Sequence, residues 1–246
     1  MTDDIGLEEP SDLLAAVAEA HAATSALLAS LADLDDAEVT RMTALPGWTV
    51  GHVLTHLARN ADGNRNMAEG AGRGEVAEQY PHGAAGRAAD IEAGSRRPAA
   101  ELLADVRTSA AALAAAWGGV PAEAWSRSVR PLSEVQPLAR TVWSRTREVE
   151  IHHVDLGLGY TPAAWPAPFV ARELARVARS LTTRLPRGTA LRLHATDTGW
   201  TVELGDGPAS VGVSGPAAWL LAWVVDRPVA PGALDSPAGF PPLASW

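Results

Sequence analysis

Four segments early in the chain repeat their apolar side chains every three to four positions, and residues that start or stop helices fence each one. Leu13, Leu14, Val17, Ala20, Leu27, Leu28 and Leu31 form a stripe running to about Ala32, with Ser11 placed to cap it. LPGWT turns the chain into a second helix, roughly Val50 to Met67, with Thr49 at its cap. Pro98 begins a third, PAAELLADVRTSAAALAAAW, which GGVP ends. Pro137 precedes a fourth, LARTVWSRTREVEIHHVDL, which Gly157 and Gly159 terminate. Helices that each carry a single apolar stripe bury it most simply against one another, so this part of the chain predicts a four-helix bundle. Between the second and third helices, EGAGRGEVAEQYPHGAAGRA is glycine-rich and without period, which predicts a long loop.

From about Thr161 the texture changes. A helix, FVARELARVARSLTTRL, is followed by alternating stretches ALRLHAT and WTVEL joined at DTG, then by ASVGVSG and a last helix PAAWLLAWVV. Alternation at period two with a short polar turn predicts a hairpin and a further strand. The expected fold class is therefore α+β in two domains, a helical bundle over residues 1–160 and a small α+β domain over 161–246 with a Pro-rich tail ending at Trp246. No internal repeat is present.

At 246 residues the chain is long enough to bury a core in either part. It carries 20 basic residues, all arginine, against 29 acidic ones, a net charge of −9 that gives no footprint for nucleic acid. The start MTDDIGLEEPSD lacks the basic and apolar regions of a signal peptide, and no apolar run approaching about 18 residues is evident, so the expected location is the cytoplasm and no membrane span is expected. There is no cysteine. That excludes disulfides, thiolate-bound zinc and an internal thiol nucleophile, and any sulfur chemistry must use an external thiol.

Against that background, REVEIHHVDLGLGY (147–160) stands out for its density of carboxylates and imidazoles. Side chains four apart share a helix face, so Glu148 and His152 point one way while Glu150 and His153 project elsewhere. Such a pair is half of a metal site, or else a local helix interaction worth about 0.2–0.5 kcal/mol. On the second helix, GHVLTHLARNAD places His52 and His56 four apart, so one face there also offers imidazole, or ordinary helix polarity. Together the two helices supply a His/Glu/His set, the composition of a catalytic zinc site with one position left open. Trp48, Trp143, Trp219 and Trp223 read as core or cleft wall and His194 as structural, while Arg145 and Arg147 read either as contacts for an anionic cofactor or as exposed helix arginines, without an assigned role.

LPGWTVGHVLTHLARNADGNRNM, WSRTREVEIHHVDLGLGY and VSGPAAWLLAWVVDRP resemble, in the same order, the mycothiol-dependent maleylpyruvate isomerase family, whose N-terminal part is a DinB-like metal-binding bundle. The similarity extends over almost the whole chain and is weakest from Glu69 to Arg87 and in the hairpin. It implies His56, Glu148 and His152 as ligands of a divalent metal, most simply zinc. His52 and His153 are then left as neighbours, either supporting the ligands or facing solvent, and Glu150 is off the site. Arg227, in WVVDRP, aligns with a functional arginine of the family and would reach a cleft between the domains; a helix C-terminal arginine is also favoured there by the dipole alone.

The chemistry implied is cis–trans isomerisation of a small electrophilic acid by addition and elimination of a thiolate, with mycothiol, the small thiol of actinobacteria, as the sulfur source. The same ligands would also suit a mycothiol S-transferase acting on an electrophilic small molecule, or a non-catalytic metal-binding module. Oligomeric state is not legible in the sequence.

Overall fold

Alanine and leucine at helical spacing produce the first element, α1 (Pro10–Ser30), in a computed structural model that describes residues 10–208 and 210–244. The side chain of Ser11, and with it the expected cap, lies outside the described residues, as do Ser245 and Trp246 at the end of the Pro-rich tail. The buried stripe of α1 is Ala16, Ala20, Ala23, Leu27 and Leu31, whereas Leu14 is exposed. These alanines give Asp12–Ser30 a mean hydropathy of 1.4, enough by length and composition to cross a bilayer. The expectation that no such run exists is therefore corrected, although the segment packs in this fold as a bundle helix against α6.

A single turn, α2 (Asp36–Val39), leads to α3 (Val50–Arg73), which starts at Thr49 as expected but continues past Met67 to a left-handed glycine cap at Gly74. The glycine-rich stretch that follows is not all loop. Its first residues finish α3 and its last begin α4 (Gly83–Gly94), which packs on α3 with Ile91 buried. Its glycines hide the helical tendency of GAAGRAADIEAG, and one buried apolar residue is too little to make a periodic stripe.

Helix α5 (Ala99–Gly118) follows Pro98, and α6 (Leu138–Asp155) follows Pro137. A two-residue ladder, β1 (Ser128–Val129) with β2 (Gln136–Pro137), joins them. Helix α3 lies against both α5 and α6, and α1 against α6, which closes the bundle. Its core is divided into two apolar clusters, one including Leu27, Leu54 and Val149 and the other Ala16, Leu113 and Val142. At Gly63 of α3 a Cβ would meet the Gln79 side chain at 2.7 Å and Tyr80 at 3.2 Å, so the absent side chain lets the segment before α4 lie directly on α3.

The first unit ends at Leu158 and the second begins at Gly159. In the second, α7 (Ala167–Arg184) buries Phe169, Leu174, Val177 and Leu181. Strands β3 (Ala190–Ala195), β4 (Thr201–Gly205) and β5 (Ser210–Gly215) form a sheet in the order β4-β3-β5. The expected hairpin is β3 with β4, and β5 pairs with β3 in parallel on the other edge. That order makes the chain cross the start of β3 between β4 and β5. Gly205 (φ +83°) and Gly207 permit the crossing, since a Cβ on them would lie 2.1 Å and 2.5 Å from backbone oxygens of Thr189 and Gly188. Helix α8 (Ala217–Val224) completes the unit, its first turn held by Asp197, whose carboxylate accepts the Ala217 N–H at 2.9 Å.

Candidate metal centre

The facing surfaces of α3 and α6 bring His56, Glu148 and His152 together, with one ligand atom from each lying within 4.8 Å of the others. His56 Nε2 lies 2.7 Å from Glu148 Oε2, and His152 Nε2 lies 3.6 Å from the same oxygen. The two imidazoles meet edge to face, 4.6 Å between centroids. One turn of α6 separates Glu148 from His152, so that pair shares a face by helix geometry alone. His56 joins them from across the bundle.

Asp155, three residues after His152, accepts a hydrogen bond from its Nδ1 at 2.8 Å, and the carboxylate is fully buried. That bond keeps a proton on Nδ1, so Nε2, which faces Glu148, is the nitrogen that would ligate a metal. Asp155 belongs to the sequence stretch that raised the metal reading, yet its role was not assigned. The i,i+3 spacing from His152 was the signal for it.

The indole of Trp48, from the LPGWT turn, packs against both imidazoles, 5.5 Å from His56 and 6.4 Å from His152 between ring centroids. It is a wall of the site and strengthens electrostatic interactions there by keeping water off one side. Burial drives the His56 pKa down to about 4, outweighing the hydrogen bond to Glu148. For His152 burial also disfavours the charged form, but the hydrogen bonds to Asp155 and Glu148 prevail and raise its pKa. Glu148 loses solvation too, and the two histidines more than compensate, holding its carboxyl well below the usual range. The carboxylate is thus ionised at neutral pH. His56 is neutral, as a ligand must be.

The donor set fits a divalent ion of the zinc class: two imidazole nitrogens and one carboxylate converge, with the tautomer of one imidazole fixed. One further contact engages His56. Arg87 of α4 lies with Nη2 2.8 Å from His56 Nδ1, and a guanidinium can only donate, so Nδ1 accepts and the proton sits on Nε2. A metal held by His56 through Nε2 would call for the proton on Nδ1 instead. A cavity of about 370 Å3 lined by His56, Glu148, Arg87, Arg147, Asn60 and Asn64 opens beside the three residues. Arg87 was hidden from the sequence reading by the apparent loop around it.

The remaining histidines lie elsewhere. His52 closes the start of α3: its Nδ1 receives the Thr49 N–H at 3.1 Å and its Nε2 lies 3.1 Å from Glu92. His153 faces α1 and not solvent, with Nε2 2.7 Å from Ser30 Oγ, and burial lowers its pKa to about 4. Glu150 is buried outside the ligand group. His194 pairs with Thr201 across the hairpin at 2.9 Å. Arg145, expected to be exposed, is 1 % exposed, because its position on α6 turns into the bundle.

Arg227 lies in the second unit just beyond α8. Its N–H bonds to Ala222 O at 2.8 Å, the Asp226 N–H bonds to Trp223 O at 3.2 Å, and Asp226 takes the left-handed conformation (φ 59°). This Schellman-type ending fixes the backbone of Arg227, and its Nη1 donates to Val225 O at 2.7 Å.

No curated protein matches the chain. Among solved structures, a mycothiol-dependent maleylpyruvate isomerase is similar at a TM-score of 0.87 and 28 % identity, covering 95 % of this chain and 97 % of that one. A histidine-to-alanine mutant of the mycothiol-dependent maleylpyruvate isomerase is similar at 0.86 and 27 %, with the same coverage. The family described as mycothiol maleylpyruvate isomerase N-terminal domain matches residues 12–157, which span α1 to α6 and all three candidate ligands. With more than half of its length matched in this way, the chain belongs to the mycothiol-dependent maleylpyruvate isomerase family.

Proposed function

We propose that the protein is a metal- and mycothiol-dependent isomerase that converts a cis-configured conjugated acid, such as maleylpyruvate, to its trans isomer. The metal is zinc, held by His56, Glu148 and His152, and Arg227 is the catalytic arginine. The observation that carries this reading is the convergence of the three ligand groups beside a cavity in a chain with no thiol of its own.

A bound divalent cation lowers the pKa of a thiol and presents it as thiolate at neutral pH. The chain's own residues do the rest. Asp155 and Glu148 hold the His152 ring in one orientation, and Trp48 keeps solvent from the imidazole faces. Thiolate addition to the conjugated double bond forms a carbon–sulfur bond and sends the π pair to the carbonyl oxygen. The former double bond is then single and rotates. Collapse of the enolate expels the same thiolate, so nothing is consumed. Arg227 is assigned the substrate carboxylate, which a planar guanidinium grips with two parallel hydrogen bonds throughout the rotation.

Cobalt-loaded protein provides a test independent of turnover. Mycothiol should change its visible absorption saturably, and His56→Ala should take up no stoichiometric cobalt. A cobalt spectrum indifferent to mycothiol contradicts the proposed role of the site.

A further inference from the structure

Beside the candidate ligands, α4 brings in a cation that no carboxylate neutralises. Arg87 lines the cavity that His56 and Glu148 also reach. Its Nη2 donates to His56 Nδ1 at 2.8 Å, and its Cζ lies over the Tyr80 ring, 5.7 Å from the centroid. His56 is neutral, and burial raises the Tyr80 pKa above its ordinary value, so neither partner is an anion. Among the described residues no aspartate or glutamate pairs with Arg87. That sets it apart in a chain whose net charge is −9, where Arg59, Arg97 and Arg176 each meet a carboxylate at 2.7 Å or less.

The helix that carries Arg87 is seated firmly. At Gly94 a Cβ would meet Thr55 Cγ2 at 2.6 Å, so the absent side chain lets the end of α4 lie on α3, as Gly63 does for Tyr80. Arg87 itself is half-buried, and none of its nitrogens is sealed from solvent without a partner. His56 Nδ1 is a neutral acceptor, and one that a ring ligating through Nε2 would no longer offer. The same ring faces Glu148 through Nε2, so a single imidazole separates the guanidinium from the ligand group. Glu148 is the one acidic residue lining the cavity, and both candidate histidine ligands already engage it. Arg147 adds a second positive charge, and Asn60, Thr141 and Ser144 add neutral hydrogen-bonding groups. A cation in such a wall recognises an anion, and the planar fork of arginine matches a carboxylate.

We propose that Arg87 is a substrate-binding residue of this site, gripping a carboxylate of the acid that the thiolate attacks and setting a preference for acids over neutral electrophiles. The inference rests on the isomerase reading above, in which Arg227 is assigned one carboxylate; a diacid such as maleylpyruvate has a second.

The test uses zinc-loaded full-length protein titrated by calorimetry with sodium glutarate, a saturated diacid to which no thiolate can add, against sodium chloride at equal ionic strength. Glutarate should bind saturably in the millimolar range and chloride should not. Arg87→Met should weaken glutarate binding by about tenfold or more. Arg87→Lys, which keeps the charge and loses the fork, should recover part of it. Zinc content should be unchanged in both. In turnover with mycothiol, Arg87→Met should raise KM for maleylpyruvate by a similar factor and leave KM for mycothiol as it was. If Arg87→Met does not fold, Arg87→Gln is read in its place. The absence of saturable glutarate binding, undiminished binding in the neutral variant, or loss of its zinc overturns the assignment, as does a rise in KM for mycothiol alone. Arg87-dependent glutarate binding in a protein that isomerises nothing would refute the isomerase reading and leave Arg87 as an acid-binding residue.

Discussion

Each ligand of the candidate centre is useful only in the protonation state its neighbours impose. His152 offers Nε2 because Asp155 accepts a hydrogen bond from Nδ1–H, and Asp155 does so from a fully buried position. Asp155→Asn keeps the shape and removes the charge, so zinc affinity should fall by about tenfold, measured by competition with a chromogenic chelator. His56→Ala and His152→Ala should each abolish tight binding, whereas His153→Ala should retain the ion. Loss of the ion from His153→Ala with retention in His56→Ala would contradict the ligand assignment. The Glu148–His152 pair was legible in the sequence because helix geometry alone sets it. The distinction between His52 and His56 was not geometric at that stage. It is made here by Thr49 and Glu92, which engage His52, and by Glu148, which faces His56. Arg87 approaches from a helix that its own glycines disguised, and the buried setting of Arg145 required knowing which face of α6 turns inward.

Among the elements, α1 and α6 meet through His153 and Ser30, which makes their junction sensitive to acid. The folded-state pKa of His153 is about 4 against 6.5 for the free side chain, because burial opposes its charge. Between those values the unfolded chain binds a proton that the folded chain refuses. The contribution is therefore intact above pH 6.5 and is lost as pH falls toward 4, by up to about 3 kcal/mol. Denaturant unfolding at stepped pH should show this loss, and His153→Leu should flatten the slope by up to about one proton. An unchanged slope would mean that His153 is not the group responsible; His56, with a pKa also near 4, acts in the same direction in metal-free protein. The four bundle helices were legible because each has an apolar stripe and a stop signal. The pairing of β5 with β3 was not, since alternation tells which face is buried and not which edge is joined. The glycines at 205 and 207 become meaningful only once the crossing is seen.

For the whole molecule, the chain belongs to the mycothiol-dependent maleylpyruvate isomerase family, and in the proposed catalysis the protein supplies the site and mycothiol the sulfur. Arg227→Lys keeps the positive charge but loses the two-pronged grip on a carboxylate, so turnover should drop by at least about tenfold with metal content unchanged. Wild-type turnover would remove Arg227 from the reaction, and loss of metal would show that its role had been misplaced. The most direct measurement of the central claim is free thiol followed through complete conversion of maleylpyruvate by the zinc-loaded protein. An addition–elimination isomerase returns its thiol, so no product should form without mycothiol, and substoichiometric mycothiol should support full conversion with its free concentration unchanged at the end. Product formation with no thiol present, or consumption of one mycothiol per substrate, would contradict it.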